Sequence, residues 1–321
     1  MEYNDTINAA IYRTSAIFRK YQSLGNILSP QKFREEYYKS DFKSDFIEFF
    51  KQGIEELKST FEPGTIRAYR QTWNKLFQFR KSIMFSDLNN DLIEKFDRYL
   101  KVKLELGTNT IAGHHKRIKK FIGIAKRKGI KIPNPYETVK SSFISGKLIY
   151  LTEDELSRMK QLYESGTLYN GYQNVARYFL FACYTGLRIS DVQRITSENI
   201  VSESLVFVPY KTRRFNKQLV VPLINYPKKL IDESKGDLFE TLCDQQTNRT
   251  LKYLADASDI KKNISFHVAR HTFATLFLEK GGKVETLQKL LGHAKITDTM
   301  KYVHIVDKRK EEQMQLLNSL K

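Results

Sequence analysis

One interruption constrains this chain more than any other feature. Residues 132–147, IPNPYETVKSSFISGK, hold two prolines, several polar side chains and no apolar period. On either side, apolar residues recur at helical spacing. Proline fixes φ and lacks an amide hydrogen, so the segment reads as an extended, flexible, basic tether. A chain of 321 residues is also comfortable for two cores rather than one. The expected division is a helical N-terminal extension over 1–40, a helical domain over 41–133, a linker over 134–150 and a second domain over 151–321.

The first half reads as helices only. Residues 5–22 carry Ile7, Ala10, Ile11 and Ile17 as an apolar stripe. Helices follow over 42–60, 64–81, 87–103 and 108–129. In 64–81, Ile66, Tyr69, Trp73, Leu76 and Phe77 share a face. In the last, Ile111, Ile118, Phe121, Ile122 and Ala125 form the buried stripe, and Gly129 is a natural stop. Beyond the tether, Thr152 and Glu155 have capping-box spacing and open a new domain. The period then shortens: Leu205 to Val208 and Leu219 to Val221 are β-rich runs around a basic turn. Helices resume at about 246. The fold class is mainly α with a small antiparallel β-sheet.

Charge narrows the function. Lys plus Arg number 54 against 36 Asp plus Glu, a net +18. Residues 1–50 are balanced, 7 basic to 7 acidic, whereas residues 101–150 hold 12 basic and 2 acidic and so carry +10. A positive field this concentrated suits a polyanion, and nucleic acid is the commonest one; a solvated lysine-rich surface is the plainer alternative. Lys116, Arg117, Lys119, Lys120, Lys126 and Arg127 are the candidate DNA-binding residues. His114 and His115, flanked by basic residues, are expected to be solvated or near phosphates. No apolar run reaches the roughly 18 residues of a membrane span. The N-terminus lacks the pattern of a signal peptide. Two cysteines make neither a disulfide framework nor a thiolate zinc site. The expected compartment is the cytoplasm, in association with the nucleoid.

The stretch SFHVARHTFATLF, residues 265–277, concentrates chemistry. His267 and His271 lie four apart, the spacing of a helical metal site. Position 268 is Val, so the glutamate base of a zinc protease is absent, and Arg270 repels a cation. Arginine between histidines suits a phosphate instead. His271 by itself reads as a packed, hydrogen-bonded histidine, and neither a metal nor any other cofactor is expected. Upstream stands YTGLRISDV, and downstream LLGHAKITDTMKYVH, in which Tyr302 falls nine residues after His293.

Taken in order, TGLRISD, HVARHTFAT, LLGH and the tyrosine nine residues later resemble the tyrosine recombinases, the phage-type integrases, over roughly residues 40–321. The resemblance implies a helical core-binding (SAM-like) domain plus a tyrosine-recombinase catalytic domain, forming a C-shaped clamp around duplex DNA. It implies Arg188 and Arg270 on the scissile phosphate and His293 hydrogen-bonded to it. Tyr302 would be the nucleophile forming a 3′-phosphotyrosyl link, His267 the general base, and Lys211, in a mobile β-turn, the acid for the leaving 5′-oxygen. Asp191 would orient the cationic cluster. These roles fit the chemistry. Guanidinium forks stabilise a pentacoordinate phosphorane, and a phenol of pKa about 10 needs a proton acceptor. Arg213, Arg214 and Lys217 share the Lys211 hairpin and are alternatives to it or phosphate ligands. His304 reads as structural.

The implied partners are double-stranded attachment or core sites, a homotetramer on synapsed DNA from a monomer in solution, and accessory DNA-bending or directionality proteins. Leu316, Leu317 and Leu320 offer a short edge for docking on a neighbouring protomer. About 40 residues precede the core-binding helices, with no small β-domain, so an arm-binding domain is expected to be lacking here or to belong to a longer protein. The expected function is integration or excision of a mobile element. The alternatives are a housekeeping recombinase resolving chromosome dimers and a catalytically inactive architectural DNA-binding protein.

Overall fold

The structure, a computed structural model, describes residues 2–33, 45–132, 134–144, 146–232 and 236–315. It divides into two compact units, Met1–Gly146 and Lys147–Lys321. Leu316, Leu317 and Leu320 lie outside the described residues. Among the described residues no helix is long and apolar enough to cross a membrane.

The first unit is helical: α1 (Glu2–Ser23), α2 (Phe46–Glu56), α3 (Pro63–Phe79), α4 (Asn90–Arg98) and α5 (Thr108–Arg127). Local chemistry sets the boundaries. Asp45 caps α2 by accepting from the amide of Ile47 at 2.7 Å, and Asn89 caps α4 from Leu92 at 2.9 Å. Pro63 occupies the first turn of α3, where an amide hydrogen would have no partner. Gly129 ends α5 at φ +84°, a left-handed position that glycine adopts without strain. The core joins Phe46, Phe50 and Ile54 of α2 to Ile66 and Leu76 of α3, Ile93 and Phe96 of α4, and Ile118 and Phe121 of α5. The Phe50 and Phe121 rings stand 3.8 Å apart between centroids.

Three expectations need correction here. In α1, Ile17 is buried but Ile7 and Ile11 are exposed. Periodicity says which residues share a face, not whether another element covers it. His114 and His115 are buried, not solvated. They fall on the Ile111–Ile118–Ile122 stripe, and a helix buries a face regardless of the lysines at other angles. His114 Nδ1 lies 2.9 Å from Thr72 Oγ1; His115 Nδ1 meets the Tyr136 hydroxyl at 3.1 Å and its Nε2 meets Asp97 at 3.0 Å.

That Tyr136 belongs to the expected tether, which is a strap rather than a flexible coil. Thr138 donates its amide to Asn90 at 3.0 Å, and Asn109 exchanges two hydrogen bonds with the backbone of Ile144, at 2.9 and 2.8 Å. Prolines remove helix; they do not prevent side chains from fixing an extended segment.

The second unit begins with α6 (Glu153–Glu164), whose capping box is formed as expected: the Thr152 amide donates to Glu155, and the Glu155 amide to Thr152 Oγ1. Its central helix, α7 (Asn170–Thr185), is buried without a break from Tyr178 to Cys183. Then come the single turn α8 (Ile189–Val192) and three strands, β1 (Ile200–Val201), β2 (Ser204–Phe207) and β3 (Leu219–Pro222). The sheet is antiparallel in the order β1-β2-β3, with Leu205 opposite Val221 and Phe207 opposite Leu219, all four buried. The connection from β2 to β3 is a 3₁₀ helix over Tyr210–Phe215, not a tight turn, so Lys211 sits on a helical coil. The chain continues with α9 (Asn225–Lys229), α10 (Asp244–Ala257), α11 (Phe266–Glu279), α12 (Val284–Leu291) and α13 (Thr297–Gln315). The fold is therefore mainly helical with a small antiparallel sheet. Cys183 is buried and Cys243 exposed, both free thiols.

Burial, aided by Arg117, pushes the His114 pKa from 6.5 down to about 4. The unfolded chain therefore takes up this proton first, so stability held above pH 6.5 is lost as pH falls towards 4. We expect the thermal midpoint of the first unit's transition to drop over that window, and His114→Gln to flatten the drop. The check is differential scanning calorimetry between pH 7 and 4.

Candidate active site

Two left-handed glycines build the site. Gly186 closes α7 at φ +71° and Gly292 closes α12 at φ +62°. Each turns the chain sharply, leaving helix-terminal carbonyls open and bringing a functional residue round within two positions: Arg188 after Gly186, His293 after Gly292. Between the two ends stands Arg270 on α11. It is buried, 3% exposed, and donates from Nη1 to the Gly186 carbonyl at 2.7 Å and from Nη2 to the Leu291 carbonyl at 2.6 Å. The carbonyl ends of helices carry partial negative charge, which suits a guanidinium. Two of its five N–H donors are thereby used, and three remain. Burial and the neighbouring Arg188 push its pKa down to about 9, against the raising effect of Tyr302 and Asp191.

Arg188 precedes α8, and its Nη1 stands 4.0 Å from Asp191 Oδ2. Asp191 is buried, which raises its pKa. The Tyr210 amide, donating to Oδ1 at 2.8 Å, and the two arginines oppose that rise. The same bond pins the start of the 3₁₀ coil that carries Lys211. The Tyr210 ring is gripped on both sides, Arg194 at 3.8 Å and Arg213 at 3.7 Å. Arg213 is thus folded against its own coil, although it, Lys211, Arg214 and Lys217 are all exposed.

His267, His271 and His293 are held neutral. His293 Nδ1 lies 2.9 Å from the buried Thr299 hydroxyl, and burial followed by Arg270 and Arg188 lowers its pKa to about 4. His267 keeps an exposed edge. Partial burial of its ring and then Arg270, Lys301, Arg188 and Lys211 lower its pKa to about 4. The cationic share of that shift is what a bound anion reverses. Lys301 is lowered by burial and by the same arginines. Burial and mutual repulsion together depress Arg270, Lys301 and the histidines His267 and His293. Among the described residues no group of three or more His, Cys, Asp or Glu could hold a metal ion.

Tyr302, on α13, is buried at 1% exposure. Burial pushes its pKa up to about 12, with Arg270 and Arg188 pulling the other way. Its hydroxyl meets His271 Nδ1 at 2.9 Å, and the His271 and His267 rings stack edge to face at 4.4 Å. So the partner of the phenol is His271, not His267. The structure brings Arg188, Asp191, His267, Arg270, His293 and Tyr302 into one cluster, with the charges of Lys211 and Lys301 acting on it. His271, Lys301 and Thr299 were not singled out as functional in the sequence. The one available signal was that His271 shares a helix face with His267. His304 is exposed, against its expected structural role.

The remaining candidates lie on α5 of the first unit. Lys116, Lys119, Lys126 and Arg127 are exposed. Three have internal partners: Lys120 donates to the Tyr69 hydroxyl and lies 3.8 Å from the centre of the Phe61 ring, Arg117 donates to Thr72 at 3.4 Å, and Lys119, though exposed, donates to Ser141 at 3.4 Å and lies 4.3 Å from the centre of the Tyr136 ring.

Residues 150–309 match the phage integrase family, and residues 45–143 match the phage integrase SAM-like domain. The chain belongs to the phage integrase family, the tyrosine recombinases. It is 38% identical to the integrase of Escherichia phage P2 over 121 residues, 37% of this chain and 34% of that protein. It is 26% identical to a tyrosine recombinase of Thermosipho africanus over 283 residues, 82% of this chain and 96% of that one. In fold it is similar to a lambda integrase dimer bound to a COC′ core site, at TM-score 0.67 and 18% identity, covering 90% of this chain and 85% of that one. It is similar also to the Tn1549 transposon integrase in complex with transposon right end DNA, at TM-score 0.65 and 16% identity, covering 84% and 99%.

A Cβ at Gly186 would stand 2.6 Å from Phe273 Cδ1, at a φ that side chains adopt only with strain. Gly186→Ala is expected to cost about 1–3 kcal/mol and to displace the carbonyl that holds Arg270. Urea denaturation measures the first effect.

Proposed function

We propose that the chain is a site-specific DNA recombinase that cleaves and rejoins strands through a 3′-phosphotyrosyl intermediate at Tyr302, integrating or excising a mobile element. The observation that carries this is Arg270, buried on two helix-end carbonyls within the charge field of Arg188 and Tyr302. A phosphodiester is the anion such a cluster lacks. Arg188 and Arg270 fork onto its non-bridging oxygens, and His293 donates a further hydrogen bond with Nδ1 already engaged by Thr299. As the phenolic oxygen bonds to phosphorus, the P–O5′ bond breaks, and Lys211, exposed and tied into place through Tyr210 and Asp191, gives the leaving oxygen its proton. Attack by the 5′-hydroxyl of another strand reverses the step without ATP, because the phosphotyrosyl bond keeps the energy of the one broken. His267, with its exposed edge, stands beside the phosphate.

The partner is duplex DNA at attachment or core sites. Exposed Lys116, Lys119, Lys126 and Arg127 on α5, and Arg214 on the coil, bind its backbone. The working assembly is a homotetramer on synapsed DNA formed from a monomer, with accessory DNA-bending or directionality proteins, in the cytoplasm at the nucleoid. The 38% identity to the P2 integrase supports the mobile-element role. A housekeeping recombinase is the alternative, and the match along 96% of the Thermosipho tyrosine recombinase fits either role. Attachment-like repeats beside the encoding gene would decide for the first.

On nicked duplexes tiling the DNA that flanks the encoding gene, we expect a covalent protein–DNA adduct that survives denaturation and forms in excess chelator. Tyr302→Phe is expected to abolish it while leaving gel-shift affinity within about twofold. An adduct in that variant would remove Tyr302 as nucleophile. Binding is expected to weaken steeply with salt, by about 0.9 in the log–log slope for each phosphate neutralised; a flat response would count against these backbone contacts. Lys211→Ala is expected to slow adduct formation about 100-fold or more on ordinary DNA, and far less on a duplex with a 5′-bridging sulfur, whose thiolate leaves without a proton.

A further inference from the structure

The nucleophile has to lose a proton, and the hydrogen bond to Tyr302 shows where that proton can go. Resting on the recombinase reading above, we propose that His271 is a catalytic residue: its Nδ1 accepts the phenolic proton of Tyr302 as the phenolic oxygen attacks phosphorus. The bond is 2.9 Å long and spans two helices, α11 and α13. His267, four residues earlier, reaches the phenol only through the His271 ring, at 4.4 Å between centroids. It is the outer member of the pair.

The step balances within the site. The Tyr302 O–H bond breaks and the proton passes to His271 Nδ1, making an imidazolium. The phenolic oxygen's electron pair forms the O–P bond. The P–O5′ bond breaks, and its electron pair leaves on O5′, which takes a proton from Lys211. In the reverse direction the imidazolium returns the proton to the departing phenol.

The surroundings make this base dependent on substrate. His271 is faced by Arg270 and His267 on its own helix and by Lys301 and Tyr302 on α13. Burial first, then His267, Lys301 and Arg270, lower its pKa to about 3, while Tyr302 is raised to about 12. In the free protein the proton therefore stays on the phenol and the nucleophile is inert. A phosphodiester placed among Arg188, Arg270 and Lys301 cancels much of the positive field that lowers His271, which raises the imidazole. The arriving anion therefore readies the proton acceptor.

The test is single-turnover adduct formation on nicked flanking duplexes, with DNA affinity followed by gel shift and folding by thermal melting. We expect His271→Ala and His271→Asn both to bind DNA normally and both to form adduct about 100-fold or more slowly than wild type. Asparagine can hydrogen-bond the phenol but cannot take its proton. Added imidazole is expected to restore part of the rate in His271→Ala and none in Tyr302→Phe. The defect is expected to persist on the 5′-bridging sulfur duplex, because it lies on the nucleophile's side. Wild-type rate in either His271 variant, or loss without imidazole rescue, overturns the inference and leaves the recombinase reading standing. Wild-type protein that forms no adduct on any of the duplexes overturns both.

Discussion

Everything in the second unit is arranged around one buried cation. Arg270 lies in the interior, where an unpaired charge is costly. It is kept there by two carbonyls, those of Gly186 and Leu291, at the ends of two different helices. Neither carbonyl is a formal charge, so the guanidinium is positioned without being neutralised. A carboxylate partner would have held it as firmly and abolished its use. Asp191, the one buried acid of the cluster, stays about 4 Å from Arg188 and spends its other oxygen on the backbone of Tyr210. The site thus keeps a surplus of positive charge.

Burial, reinforced by that surplus at the histidines and Lys301, sets the rest of the electrostatics. His267, His271 and His293 are driven neutral and Lys301 is depressed, while the phenol of Tyr302 is held protonated by burial. A strand-cleaving nucleophile that ionised spontaneously would be a hazard to any cell carrying it. Burial and the neighbouring cations keep His271 neutral, so the proton stays on the phenol.

Much of this was legible in the residues. TGLR and LLGH can be understood without any family comparison: a glycine at a helix end opens a carbonyl and swings the next residues into one place. Tyr302 was identified by its register after His293. The capping box at Thr152 and the two β-runs followed from local rules. What failed was whatever depended on a partner distant in sequence. His271 gave no sign of contact with a tyrosine 31 residues later on another helix. The strap over 134–144 looked like free coil, because its prolines report only the absence of helix, while Asn109 and Asn90, far upstream, fix it. His114 and His115 were misjudged from their lysine neighbours, although their own spacing placed them on the buried stripe of α5. Lys211 was placed in a turn because two β-runs around a basic stretch look alike whether a tight turn or a 3₁₀ coil joins them.

The central claim is that the cage is anion-starved when free and relaxes when a phosphodiester enters it. The most direct measurement is an NMR titration of the histidine ring resonances in Tyr302→Phe protein, which cannot react, with and without duplex DNA carrying its site. The account predicts that His267, His271 and His293 remain neutral down to about pH 5 in the free protein and that each titrates at least about one unit higher with DNA bound. Histidines that titrate near 6.5 in the free protein, or that do not move when DNA binds, would contradict it.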